Sequence, residues 1–309
     1  MLKYTLGRLL NLIPILFGVT FLVFASMHLL PGDPVEEMMA EWGATAEDRD
    51  RLRAQLGLDD PFLVQYTRFL AGAVRGDFGN SIERRGTPVM AEIRSQLPAT
   101  FRLTLASLVI AVVFGLSLGT ISALAHGKWI DTAATTIAVA GVSMPNFWLG
   151  LLLLYVFSLN LGWFPYGGSQ GGWRTLILPA VTLGTHSVGV LARVTRSSLL
   201  EVMANDYIKT ARAKGVAEAG VVFKHGMRNA LIPVVTLAGL QVGFLLGGSV
   251  VVETIFSRQG LGHLTVQAVI IGDFPVVQGA VTVAATAFLL VNLFVDLTYG
   301  LLDPQIRYD

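Results

Sequence analysis

Apolar stretches bounded by formal charges recur along the chain. Residues 9–32 contain no Asp, Glu, Lys or Arg, and neither do 103–127, 132–173, 175–192, 229–252 and 274–295. A helix needs about 20 mostly apolar residues to cross a bilayer, so each window predicts a span. The window 132–173 exceeds one helix and predicts a span over 133–160, then a Gly-rich loop, LGWFPYGGSQGGW, at 161–173. The window 175–192 is short, and Arg193 and Arg196 complete it with snorkelling stems. The first window outruns a signal-peptide core and no A-x-A-like site follows it, so 1–30 reads as an anchor helix. The pattern therefore predicts an all-α integral membrane protein with six transmembrane helices.

Composition agrees. Hydrophobic residues make up 53% of the 309 and charged residues only 14%, against roughly 25% in soluble domains. Mean hydropathy is +0.63. The net charge of +1 identifies no partner, and the absence of cysteine excludes disulfides and thiolate metal sites.

Charge distribution orients the chain. Six spans put both termini on one side. If that side is the cytoplasm, all five lysines (Lys3, Lys128, Lys209, Lys214, Lys224) fall inside, although the outside segments hold more residues. That is the bias of the positive-inside rule. The outside segment 31–98 carries eight arginines and twelve acids, but long loops translocate largely regardless of charge. It reads as a small extracytoplasmic helical insertion, a lid or a docking surface. Thr45-Ala46-Glu47-Asp48 resembles a capping box whose helix can end at Gly57, and Asp60-Pro61 reads as an N-cap followed by proline at the first helical position. Residues 99–309 are predicted to form a core of five transmembrane helices.

Between the fourth and fifth spans lies LARVTRSSLLEVMANDYIKTARAKGVAEAGVVFKHGMRNALIPVV (191–235), whose part 193–228 holds seven bases against three acids. Asn205 or Asp206 can cap a helix that Gly215 ends, with Tyr207, Ala211 and Lys214 on one face and Ile208 and Arg212 beside them. A second short helix can follow from about 217. Three readings fit such a polar hairpin: an amphipathic loop on lipid headgroups, a loop folded into the protein's own vestibule, or a lever docked in a groove of a soluble subunit.

The segment resembles the coupling ("EAA") segment of ABC importer inner-membrane subunits, in the peptide-type form of dipeptide, oligopeptide, nickel and glutathione permeases. The resemblance rests on DYIKTARAKG (206–215) and HGMRNALIPVVT (225–236). Further family-like phrases run in order along the chain: LPGDPV (30–35), LGLDDPFLVQY (56–66), GDFGNS (76–81), LPAT (97–100), RVTRSSLLEV (193–202), GGSVVVETIFS (247–257), GLG (260–262) and NLFVDLTYGLLDPQIR (292–307). Lys209-Thr210-Ala211 stands where the general motif reads Glu-Ala-Ala, His225-Gly226-Met227-Arg228 replaces Ile-x-Leu-Pro, and Ala217 stands where a capping Ser is common. The first two departures are typical of the peptide-type branch.

The resemblance implies a subunit forming half of a translocation pathway for di- or oligopeptides or a related solute. Its lever is the coupling segment 201–229, with Asp206, Tyr207, Lys209, Thr210, Ala211, Arg212, Lys214 and Gly215 meeting an ATPase. It implies a second permease chain, two ATP-binding subunits that carry ATP and Mg, an extracytoplasmic substrate-binding protein, and a bacterial inner membrane with both termini cytoplasmic. The chain's own residues agree that the energy source lies elsewhere. No G-x-x-x-x-G-K-[ST] loop, H-E-x-x-H or metal-spaced cluster is present, and His28, His126, His186, His225 and His263 are dispersed. No catalytic or metal site and no nucleic-acid partner is expected. The alternative classes are a proton-coupled secondary transporter acting alone and a membrane anchor for a cytoplasmic complex.

A few residues inside the membrane are candidates for the path or its gate. Asp296 lies near the cytoplasmic end of the sixth span, where a helix C-terminus disfavours an acid. It is expected to pair with Arg193 or Arg196 as a structural or gate-closing ion pair rather than a proton relay. Gly239, Gly243 and Gly247 give the fifth span a face of small residues, for helix packing or for the seam with a companion permease. Pro145 can kink the third span and free a carbonyl, with Asn146 beside it. Glu253, Arg258 and Asp273 stop 253–275 from crossing, leaving a re-entrant gate or a plain periplasmic loop.

Overall fold

A computed structural model of the chain describes residues 2–29, 53, 59–84, 86–169 and 171–302. Among these the fold is all α, with one isolated bridge, Asn80–Pro88. The helices are α1 (Leu2–Leu29), α2 (Phe62–Arg75), α3 (Val89–Leu124), α4 (Trp129–Ser143), α5 (Asn146–Leu153), α6 (Arg174–Met203), α7 (Asp206–Ala213), α8 (Glu218–Gly220), α9 (Met227–Ile255), α10 (Leu261–Ile271) and α11 (Phe274–Leu302). Two π-wound turns, Leu154–Asn160 and Val221–Gly226, continue α5 and join α8 to α9. The expected capping box at Thr45–Asp48 and the glycine stop at Gly57 lie outside the described residues.

The chain divides into two compact units, residues 1–98 with 259–309, and residues 99–258. In the first, α1 packs on α11 and on α2. Tyr66 of α2 is buried against Phe17, Phe21 and Phe24 of α1, with ring centroids 5.5–5.6 Å apart. Its hydroxyl lies 3.1 Å from both Thr20 Oγ1 and the Phe17 carbonyl, which is how a tyrosine tolerates burial. Val89 and Ile93 of α3, Leu261, Leu264 and Ala268 of α10, and Val276, Val277 and Ala280 of α11 form the core. The expected cap at Asp60 shifts by one residue. Pro61 is the N-cap, and Asp60 instead binds Arg68 Nη2 at 2.5 Å. Asp273, expected only as a charge that interrupts a span, is buried. Its Oδ2 accepts Ser81 Oγ at 2.5 Å and the Ile82 and Glu83 N–H groups at 3.1 and 3.2 Å.

The second unit is organised around α6, the most buried of the span candidates, which packs on α4, α5 and α9. Its backbones approach their neighbours closely where side chains vanish. A Cβ on Gly189 would strike the Ala138 carbonyl of α4, and one on Gly119 of α3 would come within 2.5 Å of the Ala192 carbonyl. The small-residue face expected on the fifth span is uneven. Gly243 is buried there, but Gly247 is exposed with open space around it. Two hydroxyls on α6 are satisfied within the helix. Thr182 and Thr185 donate to the Leu178 and Val181 carbonyls at 2.8 and 2.6 Å.

Among the described residues four stretches, Val89–Leu124, Arg174–Met203, Glu218–Ile255 and Phe274–Val295, are long and apolar enough to cross a membrane. The third expected span is not the continuous helix over 133–160 that its composition suggests. It breaks between α4 and α5, which meet at 106°, because Pro145 with ψ 133 leaves the helical region. As one bent span it would be a fifth. In α1 the apolar part is the shorter stretch Leu10–Ser26. The second short helix expected from residue 217 also differs, because it runs through the π turn into α9 as one rod, Glu218–Ile255.

Candidate functional site

The charged hairpin forms at α7. Asn205 precedes it with ψ 151, and Gly215 follows at φ 77, a left-handed conformation that costs glycine nothing. The Gly215 and Val216 N–H groups close the end on the Arg212 and Ala211 carbonyls at 2.9 and 3.3 Å, a Schellman pair. The helix has an inner and an outer face. Ile208 and Ala211 are buried with Val221, and Met203 packs on them. Asp206, Lys209, Thr210, Arg212 and Lys214 are exposed. Ala211, expected on one face with Tyr207 and Lys214, thus belongs to the anchor and not to the presented surface.

Polar contacts stiffen the outer face. Lys209 Nζ donates to Asp206 Oδ1 at 2.8 Å, and Thr210 Oγ1 donates to the Asp206 carbonyl at 3.0 Å. Arg212 grips Glu218 with Nη2 at 2.6 Å and Nε at 3.1 Å, and this hydrogen bonding raises the guanidinium pKa above its ordinary value. Tyr207, 42% exposed, receives Asn229 Nδ2 on its hydroxyl at 2.8 Å. The result is a short basic helix, fixed from behind by packing and tied at both ends, that offers cations and one aromatic ring to solvent.

A second polar cluster lies on the same unit. Arg196 of α6 binds Asp131 of α4 through both Nε and Nη2 at 2.8 Å, a fork-to-carboxylate pair. Ser122 Oγ and the Gly127 N–H complete the carboxylate's shell at 2.5 and 3.0 Å, and His126 Nδ1 stands 3.1 Å from Arg196 Nη2. The pair clamps α4 to α6 beside an open cleft of about 600 Å³ lined by Thr132, Thr135 and Thr136. Sequence reasoning missed it and offered Arg193 or Arg196 to Asp296, which lies on α11 with its side chain outside the described residues. The available signal was an acid in the first turn of an apolar helix, where the dipole favours it.

The remaining path candidates are scattered within this unit. Pro145 and Asn146 sit at the α4–α5 break, with Asn146 near Gly248 of α9. Glu253 is fully buried in the last turn of α9 and accepts Thr100 Oγ1 at 2.6 Å. Among the described residues no group of acids and histidines could hold a metal ion.

The sequence matches known proteins over its whole length. Residues 111–308 match the family of binding-protein-dependent transport system inner membrane components, and residues 1–104 match the N-terminal model of the same kind of membrane component. The glutathione transport system permease protein GsiC of Escherichia coli (strain K12) is 49% identical over 308 residues, covering 100% of both chains. The protein of the same name from Shigella flexneri serotype 5b (strain 8401) is also 49% identical with the same coverage. Among solved structures, the inward-facing MetNI methionine ABC transporter superposes with a TM-score of 0.58 at 22% identity, covering 69% of this chain and 97% of that one. An amino acid ABC transporter with histidines gives 0.53 at 17% identity, covering 70% and 94%. At such identities these two establish the fold alone.

Proposed function

The chain belongs to the binding-protein-dependent inner membrane components of ABC importers, in the peptide- and nickel-type branch, and from that premise we propose how it works. It forms half of a translocation pathway for a glutathione- or peptide-like solute. It couples ATP hydrolysis on separate subunits to alternating access. The carrying observation is α7, a basic helix anchored by Ile208 and Ala211 and displayed between two long helices, α6 and α9. A push on so short a tether moves both.

Six spans follow when α1, α3, bent α4–α5, α6, α8–α9 and α11 are each counted. The 36 residues of α3 make about 54 Å of helix, more than the roughly 30 Å hydrocarbon core, so its first turns with Glu92, Arg94 and Arg102 stand outside the membrane. The lysine bias supports a topology with both termini and α7 in the cytoplasm of a bacterium and residues 31–98 outside. The partners are a second permease chain, two subunits that bind ATP and Mg, and an extracytoplasmic binding protein. Asp206, Tyr207, Lys209, Thr210, Arg212 and Lys214 face the ATPase, with Ala211 and Gly215 shaping the helix. Pro145, Asn146, Gly243, Gly247, Glu253 and Asp296 belong to the path or its gate.

Reconstitution of the assembled transporter in proteoliposomes tests this. Glutathione uptake should require ATP and the binding protein, should survive a protonophore, and should fail in Lys209→Glu/Arg212→Glu. Uptake driven by a pH gradient without the ATPase would refute it.

A further inference from the structure

Arg258 stands just past the end of α9 and is 5% exposed. The Ser257 N–H bonds the Thr254 carbonyl at 3.1 Å and the Arg258 N–H bonds the Glu253 carbonyl at 2.8 Å. This is again the Schellman pattern, which favours glycine at its left-handed position and an apolar contact between the residues at its two ends. The chain meets neither preference. Ser257 takes φ 45, and the residues at the two ends are Glu253, fully buried, and Arg258.

The surroundings of the guanidinium act in opposite directions. Burial pushes its pKa down, the nearby Glu253 charge opposes that shift, and Arg102 adds to it. Its Nε and Nη1 are sealed from solvent with no hydrogen-bond partner. The carboxy end of α9 favours a cation here. Buried donors without acceptors are rare in native folds and call for a cause. Arginine remains charged at any physiological pH and presents its donors as a fork shaped for a carboxylate. The corner is held by main chain, since the Gly168 N–H bonds the Phe256 carbonyl at 3.0 Å.

We propose that Arg258 is a carboxylate-receiving site at the extracytoplasmic mouth, taking the free carboxylate of the solute as it leaves the binding protein. The exposed guanidinium of Arg102 is a second cation on the approach. The assignment rests on the transport reading above, which puts this end of α9 outside. The site opens when the corner is uncovered in the outward-open state and is otherwise hidden.

The test measures retention of radiolabelled glutathione by the vanadate-trapped, assembled transporter, with glutathione diethyl ester as competitor. Arg258→Met should lower retention by about tenfold or more, the worth of a charge-assisted pair, and Arg258→Lys should restore part of it. The ester should compete poorly against the wild type. Equal retention by wild type and Arg258→Met would overturn the site, as would an ester that competes as well as glutathione. Loss of docking by solute-free binding protein in Arg258→Met would also overturn it. Binding is measured apart from uptake. Retention is measured without nucleotide as well; retention there that Arg258→Met loses, in a transporter whose uptake proved independent of ATP, would sink the transport reading and uphold the site.

Discussion

Truncating Ile208 tests whether α7 is a rigid handle. The helix has eight residues, too few to be stable alone, so its order must come from packing. That packing is small: Ile208 fully buried, Ala211 and Val221 beside it, and Met203 against them. Ile208→Ala should cost about 2–5 kcal/mol, because the three carbons lost leave a cavity that a short helix cannot close. A cost of about 3 kcal/mol shifts the docked–undocked balance by roughly 150-fold. Ile208→Val removes one methylene and should cost about 0.5–1.5 kcal/mol. Hydrogen exchange of the 206–213 amides in the assembled transporter should rise steeply for the alanine variant and slightly for the valine one. Solute imported per ATP should fall in the same order while the membrane helices stay protected. An alanine variant with wild-type exchange and wild-type coupling would refute the reasoning.

Asp131→Leu alone should lower the thermal midpoint of the purified chain, since it strands Arg196 and leaves buried Ser122 without its acceptor. Adding Arg196→Met should recover part of the loss, and strictly additive losses in the double-mutant cycle would argue against a clamp. Gly189→Ala should destabilise by about 1–3 kcal/mol as α4 is forced off α6, while Gly247→Ala, with nothing within 4 Å, should leave the midpoint of the isolated chain unchanged.

Much of this architecture was legible because the bilayer imposes length and polarity rules that act on local sequence. Charge-free windows became helices, and DYIKTARAKG became a helix ended by Gly215, since both depend on neighbours a few residues away. The Pro145 kink was also legible, but its 106° bend was not, because the angle depends on what α5 packs against. Charge partners were least legible. Asp131 and Arg196 are 65 residues apart, and Thr100 and Glu253 are 153 apart, so only helix packing decides that they meet. The glycine pattern is ambiguous in the same way. A period of four marks a smooth face on both α9 and α3, but a Cβ on Gly247 would meet open space, whereas one on Gly115 or Gly119 would crowd α6. Spacing identifies a face and says nothing of which neighbour it meets.

In the proposed coupling, a force on α7 travels only as far as rigid contacts carry it. Ile208 and Ala211 pass it to Met203 at the end of α6 and to Val221 in the π turn before α9. The turn at Gly215 and the Arg212–Glu218 pair keep the two arms of the hairpin from sliding. From α6 the Asp131–Arg196 clamp and the close approach at Gly189 carry the motion into α4. Rigidity ends at Met144–Pro145, where no helical hydrogen-bond ladder runs continuously into α5. The clamp therefore determines how much of the third span moves with the handle: intact, it makes α4 part of the lever and puts the hinge at Pro145; broken, it moves the hinge back to the α4–α6 crossing and leaves the bend without a drive.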